Sequence, residues 1–254
     1  MAKMKNRIKL FILVWTIGIV GGFLFWLLVT FGGIQLKGYR KEKFKPRGKG
    51  LVVISNHPSL LDPIILCFLF FWDYLFDFRR TPYSTPDKRN YYDKWWFWPF
   101  RIVCVPIERG NRKKELVSLK RIRRLVKRGH IVILFPEGGR TFKGREFRFS
   151  ITGEKLRKFP AGIRKIFLGV DCEILPIWIR GSDKVWQNRY EFPSYVPFLR
   201  LWKKVEIVIG ERINSLQLPQ DKKEIVEYLE NCLLILAEKN LKEVKSGFPN
   251  CWAK

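Results

Sequence analysis

From Leu10 to Leu36 the chain carries no charged residue. As a helix rising about 1.5 Å per residue, such a run is long enough to cross a hydrocarbon core. It exceeds the apolar region of a signal peptide, and no A-x-A-like cleavage site follows it. A buried helix of a soluble core fits poorly at this length. The run therefore reads as a membrane anchor, either one spanning helix or, through Gly18, Gly21 and Gly22, a re-entrant pair of short helices. Lys3, Lys5, Arg7 and Lys9 flank one end, and Lys37, Arg40, Lys41, Lys43, Lys45, Arg47 and Lys49 the other. The positive-inside bias then divides the chain into an N-terminal anchor, residues 1–36, and a domain, residues 37–254, that faces the cytoplasm from the cytoplasmic (inner) membrane.

The formal net charge is +26, from 49 Lys and Arg against 23 Asp and Glu. A surface this basic expects an anionic partner: nucleic acid, anionic lipid, a phosphorylated substrate or an acidic carrier protein. The 10 Trp and 21 Phe favour an interfacial protein over a nucleic-acid binder. Cys67, Cys104, Cys172, Cys232 and Cys251 are scattered without a C-x-x-C, and only two histidines occur, which argues against a zinc site and a disulfide framework.

Beyond the anchor, short apolar runs alternate with helical patterns. Strands are expected at Leu51–Ile54, Ile102–Ile107, Ile131–Phe135, Ile174–Ile179 and Val205–Ile209. Leu116, Leu119, Ile122, Leu125 and Val126 recur at helical spacing with Lys and Arg opposite. Asp221 with Glu224 resembles a capping box for a last helix that Gly247 would stop. This alternation predicts an α/β fold, a mostly parallel central sheet flanked by helices, with ligands beyond the carboxyl ends of the strands.

The chemically rich residues cluster at those ends. After the first strand comes Asn56-His57-Pro58-Ser59-Leu60-Leu61-Asp62, an imidazole and a carboxylate five positions apart. With His57 in a turn and Pro58 opening the helix that carries Asp62, the carboxylate can accept Nδ1–H and leave Nε2 to take a proton. Ile107 is followed by Glu108-Arg109-Gly110-Asn111-Arg112, and Phe135 by Pro136-Glu137-Gly138-Gly139-Arg140-Thr141. Glycines that admit a ligand to the backbone, with an arginine beside them, make a phosphate seat. Neither a Walker nor a dinucleotide-binding glycine pattern is present, so nucleotide hydrolysis has no support.

In this order the four stretches resemble the motifs of the glycerolipid acyltransferase superfamily, in particular its 1-acyl-glycerol-3-phosphate acyltransferases. These are the H-x-x-x-x-D box from His57 to Asp62, the strand ending Ile107-Glu108-Arg109, the F-P-E-G-x-R-[ST] box from Phe135 to Thr141, and the proline-bearing strand Leu175-Pro176-Ile177. The resemblance spans roughly Ile34 to Gly210. It departs from the usual pattern at Val103, Pro106 and Glu108 in the second motif and at Gly139 and Thr141 in the third. The basic, Phe-rich interval from Phe142 to Phe159 is long for the family, and one apolar segment precedes His57 where larger bacterial members have two.

What the resemblance implies is acyl transfer from an acyl thioester to a glycerol hydroxyl, making phosphatidic acid from lysophosphatidic acid. His57 would remove the hydroxyl proton and Asp62 would orient it, while Arg109, Glu137, Gly138 and Arg140 would hold the acceptor. Physically, Glu137 would repel a phosphate unless it paired an arginine or accepted from a hydroxyl. Amides near Gly138 and Gly139 are candidate oxyanion donors. Acyl-CoA or acyl carrier protein would be co-substrate, anionic membrane lipids would be partners, and no nucleic acid, organic cofactor or metal is expected. Glycerol 3-phosphate, another lysophospholipid or a lyso-ornithine lipid are the other acceptors considered. A basic binding protein without activity would explain the charge but not the four ordered motifs. His130 reads as structural or solvated, the aromatic run Tyr91–Phe100 as an interfacial belt, and the apolar helix Pro63–Phe76 as core.

Overall fold

The computed structural model describes residues 2–45, 48–186, 200 and 202–238. In chain order the elements are α1 (Ala2–Leu13), a π-helical stretch (Val14–Gly18), α2 (Ile19–Thr30), β1 (Ile34–Lys37), β2 (Gly50–Ser55), α3 (Asp62–Leu69), α4 (Phe71–Phe76), α5 (Arg112–Lys127) and β3 (Ile131–Leu134). The hairpin strands β4 (Phe147–Phe149) and β5 (Lys155–Arg157) follow, then α6 (Arg164–Phe167), β6 (Cys172–Arg180), α7 (Ser182–Val185), β7 (Val205–Ile209), β8 (Ile213–Asn214) and α8 (Lys222–Glu238).

The central sheet has the order β1-β7-β6-β2-β3, with β8 also pairing β6. The β1–β7, β6–β2 and β2–β3 pairs are parallel, whereas β7 and β8 lie antiparallel to β6. Strands buried on both faces need apolar residues throughout, which is why these read as continuous runs. Their alternate residues divide between two layers. Val52, Ile54, Val132 and Ile174 pack with Ile122 and Val126 of α5 and Leu229 and Leu233 of α8. Leu51, Val53, Ile133 and Leu175 pack on the other side with Ile65, Leu66 and Leu69 of α3 and with Val14 and Phe25 of the N-terminal helix.

The charge-free run forms one continuous helical stretch from Ala2 to Thr30, not a re-entrant pair. Gly21 and Gly22 act as points of close approach: a Cβ on either would overlap the ring of Phe68 or Phe71. The Tyr74 hydroxyl donates to Gly18 O at 2.9 Å, and Phe11 packs edge-on against Phe78. The helix is therefore laid lengthwise on the domain, and its outer row, including Phe11, Trp15, Val20, Phe23 and Leu24, is exposed. The sheet begins at Ile34, inside the stretch assigned to the anchor.

Three local expectations change. Ile102–Ile107 is not a ladder strand: Trp95–Val103 is 3₁₀-helical, and the chain beyond it makes only isolated parallel bridges, Ser84 to Cys104 and Asp87 to Ile107. Pro86 and Pro106 remove the donors that a longer ladder needs. Pro58 opens no helix; α3 begins at Asp62, with Pro63 in its first turn, where proline costs no bond. The apolar helix breaks at Phe70 into α3 and α4. Asp221 caps α8 by accepting from Lys223 N and Glu224 N at 2.6 and 3.3 Å. Gly247 and Cys251 lie outside the described residues, and the other four cysteines are free thiols. Trp95 and Trp98 of the aromatic run are exposed, and His130 packs edge-on against Tyr83.

Candidate active site

The site lies where β2 leaves the middle of the sheet. Asn56 extends the strand with its side chain, accepting from Ile179 N at 2.7 Å and donating to Ile179 O at 2.8 Å. That bidentate clamp fixes the direction of the turn. His57 follows, stacked on Phe135 with ring centroids 4.2 Å apart, its side chain 14 % exposed. Its Nδ1 lies 2.8 Å from Asp62 Oδ2.

Asp62 is fully buried, and both its oxygens are engaged. Oδ2 also accepts from Ser59 N at 2.6 Å, and Oδ1 accepts from the Ser182 hydroxyl at 2.6 Å. Burial pushes its carboxyl above the usual range, opposed by the hydrogen bonds from His57, Ser182 and Ser59. As the first residue of α3 it also sits at the positive end of a helix. Ser182, itself completely buried, was invisible in the sequence; the only signal was the Arg180-Gly181 pair closing β6. Gly181 has φ +83°, which turns the chain so that Ser182 enters α7 facing the carboxylate.

Glu137 is 1 % exposed, and both its oxygens are engaged within the protein. Oε1 accepts from His57 N at 2.8 Å and from the Thr141 hydroxyl at 2.7 Å, and Oε2 accepts from Arg157 N at 3.1 Å. Thr141 N in turn donates to His57 O at 2.8 Å. One carboxylate thus ties the end of β2, the loop after β3 and the end of β5. Its burial raises its pKa to about 7, against the pull of those three bonds.

Gly138 has φ +69° and donates its N–H to Phe135 O at 3.1 Å, which closes the turn after β3. The Gly139 amide makes no such bond among the described residues. Arg140 is buried, its guanidinium 5.0 Å from the centre of the Phe142 ring.

Arg109 approaches from the other side. A methyl placed on Gly139 would lie 3.5 Å from Arg109 Nη1 and 3.1 Å from Arg157 Nη1, so two guanidinium groups flank one bare glycine. Arg109 is 3.6 Å from Asp87, with 40 % of its side chain exposed. Burial lowers its pKa, Asp87 opposes this, and the charge of Arg157 lowers it further. Arg157 is the residue sequence reasoning missed. It lies in the long basic interval, but only the β4–β5 hairpin returns it to the loop after β3. A general base with a fixed tautomer therefore stands one loop away from a paired cationic seat, an arrangement suited to deprotonating an alcohol that carries a phosphate.

The family model described as Acyltransferase matches residues 37–180, which hold every residue above except Gly181 and Ser182. Two probable 1-acyl-sn-glycerol-3-phosphate acyltransferases, from Mycoplasma pneumoniae and Mycoplasma genitalium, are each 24 % identical to the chain over 74 % of it. The matched region spans 66 % of the length of each. A chloroplastic 1-acyl-sn-glycerol-3-phosphate acyltransferase of Brassica napus is 29 % identical over 53 % of this chain and 34 % of its own. The crystal structure of the 1-acyl-sn-glycerophosphate (LPA) acyltransferase PlsC from Thermotoga maritima shares the fold, with a TM-score of 0.55 and 19 % identity over 98 % of this chain and 100 % of that one.

Proposed function

The chain belongs to the Acyltransferase family, and from that premise we propose that it is a membrane-associated 1-acyl-sn-glycerol-3-phosphate O-acyltransferase. The observation that carries this reading is the meeting of the His57–Asp62 pair with the Arg109–Arg157 seat across Gly139. The acceptor phosphate binds between the two guanidinium groups, which brings the glycerol hydroxyl toward His57 Nε2. Nε2 takes the hydroxyl proton as the oxygen attacks the thioester carbonyl. The tetrahedral intermediate then collapses, the C–S bond breaks, and the imidazolium returns its proton to the departing thiolate. Asp62 holds Nδ1–H throughout and stabilises the imidazolium. No enzyme nucleophile enters, because the alcohol attacks directly. Glu137 positions the loops and touches no substrate, and the Gly139 N–H is the remaining glycine donor for the oxyanion.

The apolar helix supports attachment to the membrane, and its lengthwise packing favours insertion into one leaflet over spanning, with the outer row of the helix and Trp72, Phe76, Trp95 and Trp98 reaching lipid. The basic residues on both flanks support anionic lipid headgroups as partners and a domain facing the cytoplasm. The test is thiol release from palmitoyl-coenzyme A and palmitoyl-carrier protein in detergent, with and without lysophosphatidic acid. The wild type releases thiol only with the acceptor, and a folded His57→Ala variant loses at least ~10³-fold in kcat. Full activity in that variant removes the base assignment; release only with glycerol 3-phosphate or another lysolipid moves the acceptor.

A further inference from the structure

A dense block of positive charge lies outside the site, on the outward face of α5. At 100° per residue, Lys113, Lys120, Arg121, Arg124, Lys127 and Arg128 share an arc of about 120° centred near Val117. All are exposed, and Val117 is 66 % exposed in their midst. Among the described residues none of the six cations is ion-paired, although the neighbouring Lys114 pairs with Glu108. Like charges three and four residues apart destabilise a helix, so this face is held at a cost that folding alone does not offset.

Direction narrows what such a face can meet. Through Ile122 and Val126, α5 packs on the sheet layer that includes Val52 and Ile54, whereas the apolar N-terminal helix packs on the opposite layer. The cationic arc therefore looks away from the side that carries the lipid-reaching residues. It also starts beside the chemistry: Asn111, which caps α5 by accepting from Lys114 N, follows Arg109 by two residues.

We infer that this face of α5 docks an acidic carrier protein bearing the acyl thioester, so that the donor comes from the aqueous side while the acceptor comes from the membrane side. The inference rests on the acyl-transfer reading above. Charge complementarity steers the acidic surface in, and an exposed valine ringed by cations provides the apolar centre that a protein interface uses. A phosphodiester strand would need the cations alone.

The experiment compares full-length wild type with the Lys120→Glu, Arg124→Glu, Lys127→Glu triple variant, using lysophosphatidic acid and either palmitoyl-carrier protein or palmitoyl-coenzyme A. The expected result is a rise of ten-fold or more in KM for the carrier protein, with kcat and the KM for the coenzyme A ester within two-fold. The Lys120→Gln, Arg124→Gln, Lys127→Gln set, which adds no new charge, gives a smaller rise in the same direction. Equal rises with both donors, or wild-type transfer from coenzyme A alone, overturn the docking face and leave the transferase reading standing. Loss of co-sedimentation with anionic vesicles, or of single-stranded DNA retention, with the carrier KM unchanged assigns the face to those partners instead. Absence of transfer from either donor removes the transferase reading itself, and the docking face with it.

Discussion

The two halves of the site are built on opposite principles. On the base side, Asp62 and Glu137 are buried and every carboxylate oxygen has a partner inside the protein. On the arginine side, Arg109 and Arg157 face one another across a glycine, Arg109 is substantially exposed, and its one ion pair among the described residues is 3.6 Å long. The difference teaches where rigidity is needed. Proton transfer depends on one tautomer held at one angle, so its supports are complete before any ligand arrives. The cationic half is left in repulsion that a bound anion would relieve, as the proposed acceptor phosphate would.

Changes on the base side should act on turnover, and changes on the arginine side on affinity. The largest effect expected after loss of His57 is that of Asp62→Asn. It keeps the shape, presents an amide to Nδ1 and should lower kcat about 10²–10³-fold with little change in acceptor KM. Arg157→Ala should raise the acceptor KM about 10–100-fold, the range for losing a charge-assisted hydrogen bond, and leave kcat within a few fold. An unchanged KM there would reduce the seat to Arg109 alone.

Glu137 sharpens the comparison through pH. Its folded pKa of about 7 exceeds the ordinary 4.5, so the unfolded chain releases this proton first as pH rises. The stability it contributes is complete below about pH 4.5 and lost as pH climbs through 7, a total of about 3 kcal/mol. Melting temperatures of Glu137→Gln should therefore fall less between pH 5 and 7.5 than those of wild type; parallel curves would show that the carboxylate is ionised throughout. The smallest effect is reserved for Gly139→Ala. Its methyl would meet only the mobile ends of two arginines, so a two- to three-fold rise in acceptor KM is expected with no change in melting.

Much of this was legible because the chemistry sits at strand ends. The β2 run followed by Asn-His-Pro-Ser-Leu-Leu-Asp announces both the base and its orienter, and the continuous apolar runs announce a sheet covered on two faces. Other features have no local signal. Whether Glu137 turns in or out depends on Thr141, His57 and Arg157 converging, and Arg157 depends on a hairpin closing over the loop. Ser182 is an ordinary serine until β6 delivers it to Asp62. The glycines of the N-terminal helix look like breakers in one dimension and turn out to be contact points in three. The segment before Glu108 has a strand's composition, but its Pro106 and the Pro86 of the stretch it bridges cannot complete a ladder.

The helix that begins with Asp62 also bears Phe68, whose ring fills the space left by Gly21. At 1.5 Å per residue those two ends of α3 are only about 9 Å apart along the axis. Each methylene drawn out of a bilayer costs about 0.8 kcal/mol, so fully extracting a sixteen-carbon chain would be prohibitive. With Asp62 held a nanometre from an apolar helix, a lysolipid acceptor of the proposed reaction would need to lift only its headgroup to react, and its tail would never have to leave the oil.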